Sequence, residues 1–208
     1  MGITTLIIFI TTAVSLLAFS RPKTTDDLVF WPYTIKREGQ LYRFITHGVL
    51  HADSLHLIFN MVSFYSFGSA LEEYLYLSLF GEASRALFSM LYVTGIIVAV
   101  IPDYLKYRDT INYRSLGASG AVSAVVFAAI TIEPNMPILF FFIPFKIPGW
   151  IFGLCFLILS ASLARKGGGN IGHNAHFWGS VYGILFTYLM ARIFAGVDLL
   201  ENFIRSVL

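Results

Sequence analysis

Charge is what this chain has least of. Asp, Glu, Lys and Arg make up 12% of its 208 residues, against roughly 25% in an average soluble domain. That leaves too little polar surface to clothe a water-soluble core, and a hydrophobic share of 57% points to lipid as the solvent. A net charge of +2 supplies no basic face able to neutralise a run of phosphates, which excludes nucleic acid as a partner. Cysteine is nearly absent: Cys155 stands alone in an apolar run, so no internal disulfide can form. No Lys or Arg precedes the first apolar run. Ala18-Phe19-Ser20 weakly resembles a cleavage site, but the positive region of a signal peptide is missing, and the segment is read as a retained span. Internal repeats and low-complexity tracts are also lacking.

What the chain does have is six apolar stretches. They run approximately Ile3 to Phe19, Leu55 to Leu71, Ala86 to Ile101, Gly117 to Ile132, Pro148 to Ala164 and His176 to Phe194. They predict an all-α membrane protein, one domain over residues 1–208 with six transmembrane helices. Crossing ~30 Å of hydrocarbon takes ~20 helical residues, and several stretches are shorter. The fourth is the clearest case, since about 15 residues rise only about 22 Å. Such a helix is tolerated where its end lies in a protein-lined, water-filled recess. Ser119, in its first turn, is therefore expected below the membrane surface.

The connection Arg21 to Ser54 is long and rich in aromatic and charged residues. Trp31, Tyr33, Tyr42 and Phe44 suit the membrane interface, so part of this loop is expected to lie on the bilayer. Ile138 to Phe145 is apolar but too short to span and is interrupted by Pro137, Pro144 and Pro148, an interfacial approach to the fifth helix. Loops one, three and five carry ten of the fourteen Lys and Arg, which places them in the cytoplasm by the positive-inside rule. Without the first loop the tally is five against four.

The chemistry gathers at helix ends. Gly117-Ala118-Ser119-Gly120 opens the fourth stretch and Ala175-His176-Phe177-Trp178-Gly179 the sixth. A serine hydroxyl is a weak nucleophile at neutral pH, and histidine is the side chain best suited to take its proton. His56 and Asn60, at i and i+4, share one helical face. Both can donate towards a developing oxyanion beside the Ser119 backbone N–H, each such donor being worth about 3 kcal/mol in comparable sites. Taken alone, Asn60 reads better as an interhelical hydrogen-bonding residue. His47, His51 and His173 read at least as well as helix-end side chains reaching for the interface. Small residues line the fourth helix (Gly117, Ala118, Gly120, Ala121, Ser123, Ala124, Ala128, Ala129), and Gly179 and Gly183 lie three and seven residues after His176, on its face. Such surfaces let helices approach closely, bringing Ser119 within reach of His176. No Asp or Glu sits a turn from His176, so a Ser–His dyad is expected in place of a triad.

Four pieces, in order and spacing, resemble the rhomboid family of intramembrane serine proteases: Tyr42-Arg43, His56-Leu57-Ile58-Phe59-Asn60, Gly117-Ala118-Ser119-Gly120, and Ala175-His176 with Gly179 and Gly183. The resemblance covers nearly the whole chain. It implies that Ser119 attacks the scissile carbonyl with His176 as general base, then acid, while the Ser119 amide, His56 and Asn60 hold the oxyanion. It implies transmembrane protein substrates within the lipid bilayer, no cofactor and no metal, and a multi-pass protein of the bacterial inner membrane with its active site facing outward. The first loop would dip into the membrane, braced by Arg43, and the fifth helix with the loop Ala164 to Asn174, including Lys166-Gly167-Gly168-Gly169, would form gate and cap. Two departures stand out. The usual aromatic one turn after the nucleophile is Ser123 here, leaving Trp178 or Tyr182 to position His176, and the usual Trp-Arg of the first loop is Tyr42-Arg43.

Two other readings compete. A pseudoenzyme of the same family would bind membrane helices without cutting them, although such relatives typically lack the serine or the histidine. A metal-dependent membrane hydrolase or carrier would use His47 and His51 at i, i+4, but the chain has no His-Glu-x-x-His pattern.

Overall fold

The computed structural model describes residues 1–139, 145–166 and 172–207. Its long helices are α1 (Ile3–Ser20), α5 (Ser54–Ala70), α7 (Ser84–Tyr107), α8 (Ser119–Ile132), α9 (Gly149–Lys166) and α10 (His173–Met190). Short helices α2 (Pro22–Leu28), α3 (Pro32–Glu38) and α4 (Arg43–Thr46) fold the first connection, α6 (Tyr76–Phe80) extends α5 beyond a π-helical turn at Leu71–Leu75, and α11 (Leu199–Val207) ends the chain. The only sheet among the described residues is a two-residue antiparallel pair, β1 (Pro137–Ile138) with β2 (Ile147–Pro148). By length and composition, four stretches are able to cross a membrane: Ile3–Ser20, Ser54–Tyr107, Gly149–Lys166 and His173–Ala195. The second of these is 54 residues long and is broken at Gly81, whose φ of +54° suits glycine. The helices outrun the apolar runs at several ends: α7 continues through Pro102, and α10 begins three residues ahead of His176.

Helix α8 is the axis of the bundle. Every residue from Gly120 to Ile130 is buried, so protein encloses this helix on all sides. This resolves its shortness, because neighbouring helices and not lipid meet its surface. The approach of α10 is closest. A methyl group added at Gly183 would sit 2.7 Å from the Ala124 Cα and overlap that residue's carbonyl oxygen, and one at Gly179 would overlap the carbonyl oxygen of Gly120. On the other side, Gly95 of α7 meets Ala121 and Ala124.

The first connection is a folded unit. Arg43, 5% exposed, donates from Nη1 to the carbonyls of Asp26 and Val29, both at 2.8 Å, and from Nε to Gln40 Oε1 at 2.6 Å. Donors in a fixed fork thus tie the end of α2 to the turn before α4. Phe30 and Ser115 exchange backbone hydrogen bonds at 3.0 Å, and Gly117 N donates to the His47 carbonyl at 3.0 Å, tying the loop to the segment that leads into α8. Far from there, Glu72 in the π-helical turn accepts from Ile3 N (2.7 Å), Thr4 N (2.8 Å) and Thr4 Oγ1 (2.8 Å). It caps an α1 N-terminus that has no side-chain cap of its own.

Two outcomes test this packing. Gly183→Ala should cost about 3 kcal/mol, the upper end of overpacking penalties, because backbone and not a mobile side chain stands in the way; unfolding in mixed micelles measures it, and a loss below about 1 kcal/mol would mean that α8 and α10 lie further apart. His47 and His51 are buried in the first connection, and their Nε2 atoms have no hydrogen-bond partner among the described residues. Desolvation lowers both from 6.5 to about 4, with neighbouring His56 adding to the effect on His51. Folded values below the unfolded one mean that the neutral rings stabilise the fold above about pH 6.5, and that this contribution is lost as pH falls towards 4. The Tm should drop across that window, and a flat profile would show the rings to be hydrated.

Candidate active site

Ser119 is the first residue of α8 and is half-buried. The first N–H groups of a helix have no partner within it and carry the positive end of its dipole, so the Ser119 amide is a free donor beside its own hydroxyl. Gly117 turns the chain into this helix at φ +128°, a conformation that other residues rarely adopt. A methyl group there would lie 3.1 Å from His56 Cε1, 3.5 Å from His56 Nε2 and 3.7 Å from Ser119 Oγ. Gly117 therefore keeps open a space that His56 and Ser119 both face.

His56 reaches this space from the first turn of α5. Asp53 caps that helix by accepting from His56 N at 2.8 Å. The Ala52 amide approaches His56 Nδ1 at 3.5 Å, a long hydrogen bond that leaves Nε2 as the protonated nitrogen directed at the open space. Behind it the His51 ring stands edge-on at 5.0 Å, and His51 Nδ1 is hydrogen-bonded to Ser15 Oγ at 3.0 Å. Asn60 donates from Nδ2 to the His56 carbonyl at 3.0 Å. This is a bond within α5, not the interhelical one that the residue alone suggested, and it occupies one of the two amide protons.

His176 lies in the first turn of α10, where Ala175 and Gly179 meet Gly120 of α8. Helix packing thus sets Ser119 and His176 on adjoining turns of two helices in contact. Among the described residues no hydrogen bond joins their side chains; such bonds in unliganded sites often tighten only with substrate. Neither aromatic expected to position His176 does so. Trp178 is 40% exposed and stacks edge-on against Phe177, and the Tyr182 hydroxyl is bonded to Thr94 Oγ1. The ring facing His176 from another helix is Phe156 of α9, its centroid 6.1 Å away.

One carboxylate near this end escaped the sequence reading. Asp103, 3% exposed on α7, accepts from Asn174 Nδ2 at 2.6 Å and from the Tyr113 hydroxyl at 2.9 Å. It pins the first turn of α10 without touching the His176 ring, and an i, i+3 or i, i+4 search around His176 cannot reach a residue 73 positions earlier. His47 and His51 do not form the shared face that a continuous helix would give them. Leu50 between them is extended, at φ −106° and ψ 149°, and His47 packs on Phe30 instead. No group of three or more His, Cys, Asp or Glu able to hold a metal occurs among the described residues. The expected cap at Gly167, Gly168 and Gly169 lies outside them.

Comparison with known proteins agrees with the layout. The rhomboid domain family matches residues 38–193. The chain is 29% identical to the mitochondrial rhomboid-like protein 12 of Arabidopsis thaliana over 153 residues, 69% of this chain and 45% of that protein. It is 25% identical to the rhomboid protease GlpG of Haemophilus influenzae over 174 residues, 81% of each chain. Similarity to the putative rhomboid protease YdcA of Bacillus subtilis reaches 33% over 116 residues, 53% of this chain and 52% of that one. The chain thus spans about half the length, or less, of the plant and Bacillus relatives. With apolar helices long enough to cross a bilayer and a family match over most of its length, this chain is an integral membrane protein and a member of the rhomboid family.

Proposed function

We propose that this protein is a serine endopeptidase that hydrolyses peptide bonds in or near the transmembrane helices of other membrane proteins. The observation that carries the reading is the packing of Gly120 against Ala175 and Gly179, the immediate chain neighbours of Ser119 and the helical turn of His176. In this reading His176 takes the Ser119 proton as the hydroxyl attacks the scissile carbonyl, then returns it to the leaving amine. The tetrahedral oxyanion sits in the space above Gly117, held by the Ser119 amide, His56 Nε2–H and the remaining Asn60 amide proton. Metal and cofactor have no part in these steps.

Six crossings follow if the 54-residue stretch traverses the bilayer twice, turning at Gly81. The first connection then lies at the membrane surface on the side of the site, and α9 flanks the entrance. We place the protein in a bacterial inner membrane with its site facing outward. The Lys and Arg count opposes that orientation, but five of the ten on that side lie in the folded first connection, without which the tally is five against four.

Cleavage of a single-span substrate in liposomes tests the reading. Ser119→Ala and His176→Ala should each abolish turnover with the fold intact, and to the same extent, because dyad members act as a unit. A chelator should change nothing; inhibition by it would revive a metal-dependent hydrolase, and a folded but inert wild type would favour a helix-binding pseudoenzyme. His56→Ala and Asn60→Ala should lower kcat by roughly 10²-fold or more while moving KM little. An effect confined to KM would recast both as substrate contacts.

A further inference from the structure

Among the described residues the His176 ring has two ring neighbours, and they differ in what they can control. His173 stands edge-on at 6.0 Å and 89°, one turn earlier on the same helix, so it moves with α10. Phe156 comes from α9, its centroid at 6.1 Å and its plane tilted by 33°. Both distances lie within the range in which aromatic pairs attract. Phe156 is itself held by Phe127 of α8 at 5.7 Å and 49°, and by Phe152 of α9 at 5.8 Å and 29°. A row of rings therefore runs from α8 through α9 to the histidine of α10.

Among the described residues no carboxylate is hydrogen-bonded to the His176 ring. Asp103 spends its oxygens on Asn174 and Tyr113. The torsion that sets an imidazole plane is soft, so a packed neighbour on one face is enough to select an orientation. The helix that provides this neighbour is lightly held: only Gly149, Gly153 and Ser160 of α9 are buried, while Leu154, Ile158 and Leu159 are exposed.

We infer that Phe156 is a positioning residue for His176, fixing the plane of the base towards Ser119 and making that plane depend on where α9 stands. The inference rests on the Ser–His reading above. Displacement of α9 removes the ring from His176, so the base is aligned only while α9 is packed against α8 and α10.

Phe156→Leu keeps an apolar side chain of similar volume and removes the ring; Phe156→Tyr keeps the ring. The leucine variant should lose roughly tenfold in kcat with KM nearly unchanged, and the acid limb of its pH–rate profile should move, which a loss of packing alone would not produce. The tyrosine variant should restore both. Unchanged kcat and profile in Phe156→Leu, or equal impairment in Phe156→Tyr, would overturn the inference while leaving the dyad intact. A wild type that neither cleaves nor reacts at Ser119 with a fluorophosphonate removes the dyad reading itself. The NMR signal of the His176 ring reads the contact without turnover. It should shift in Phe156→Leu through loss of the ring current, and an unmoved signal would remove the contact whether or not the protein cleaves.

Discussion

Everything at the candidate site depends on how closely two backbones approach. Helices α8 and α10 touch at Gly179 and Gly183, where the carbonyls of Gly120 and Ala124 occupy the space that a side chain would need. Inside a membrane there is no hydrophobic drive to hold helices together, so contact at this range draws on dispersion and close fit. The same contact fixes the first turns of both helices, and Ser119 and His176 stand on those turns.

Around that contact the molecule is organised by single polar groups doing the capping that local sequence does not. Glu72 closes the N-terminus of α1 from a distance of 68 residues, Asp103 ties α7 to the start of α10, and Arg43 ties the end of α2 to the turn before α4. Each is buried, and each makes several hydrogen bonds, which is the condition for tolerating a polar group in a low-dielectric interior. Backbone bonds from Phe30 and His47 to Ser115 and Gly117 carry the order of that connection to the doorstep of the proposed nucleophile. Its exposed ion pairs, such as Arg114 with Asp26, are minor by comparison.

Much of the site was legible before the fold. Ser119, His176, His56 and Asn60 stand out because polar groups are costly in apolar helices, and His56 and Asn60 because their spacing is helical. The small residues announced a close approach, and the shortness of the fourth stretch announced a helix enclosed by protein. What sequence spacing could not supply was any relation between helices. Asp103 and Phe156 lie far from His176 in the chain and carry no local signal, and neither Trp178 nor Tyr182 serves, because one is exposed and the other bonds Thr94. The short helices of the first connection carry only terminal signals, a proline at the start of α2 and of α3 and the left-handed Gly39 after α3, and are too short to show a helical period.

The sequence by itself thus determined the solvent, the helices, the small-residue faces and the candidate chemical groups. These are consequences of composition and of a 3.6-residue period, both local properties. The tertiary structure decided which donors point at the same space, which bond Asn60 makes, what faces the proposed base and which carboxylate anchors its helix. Those outcomes depend on side chains from different helices meeting within a few ångströms, and such meetings are settled only when the glycine-lined surfaces close and the backbones come into register.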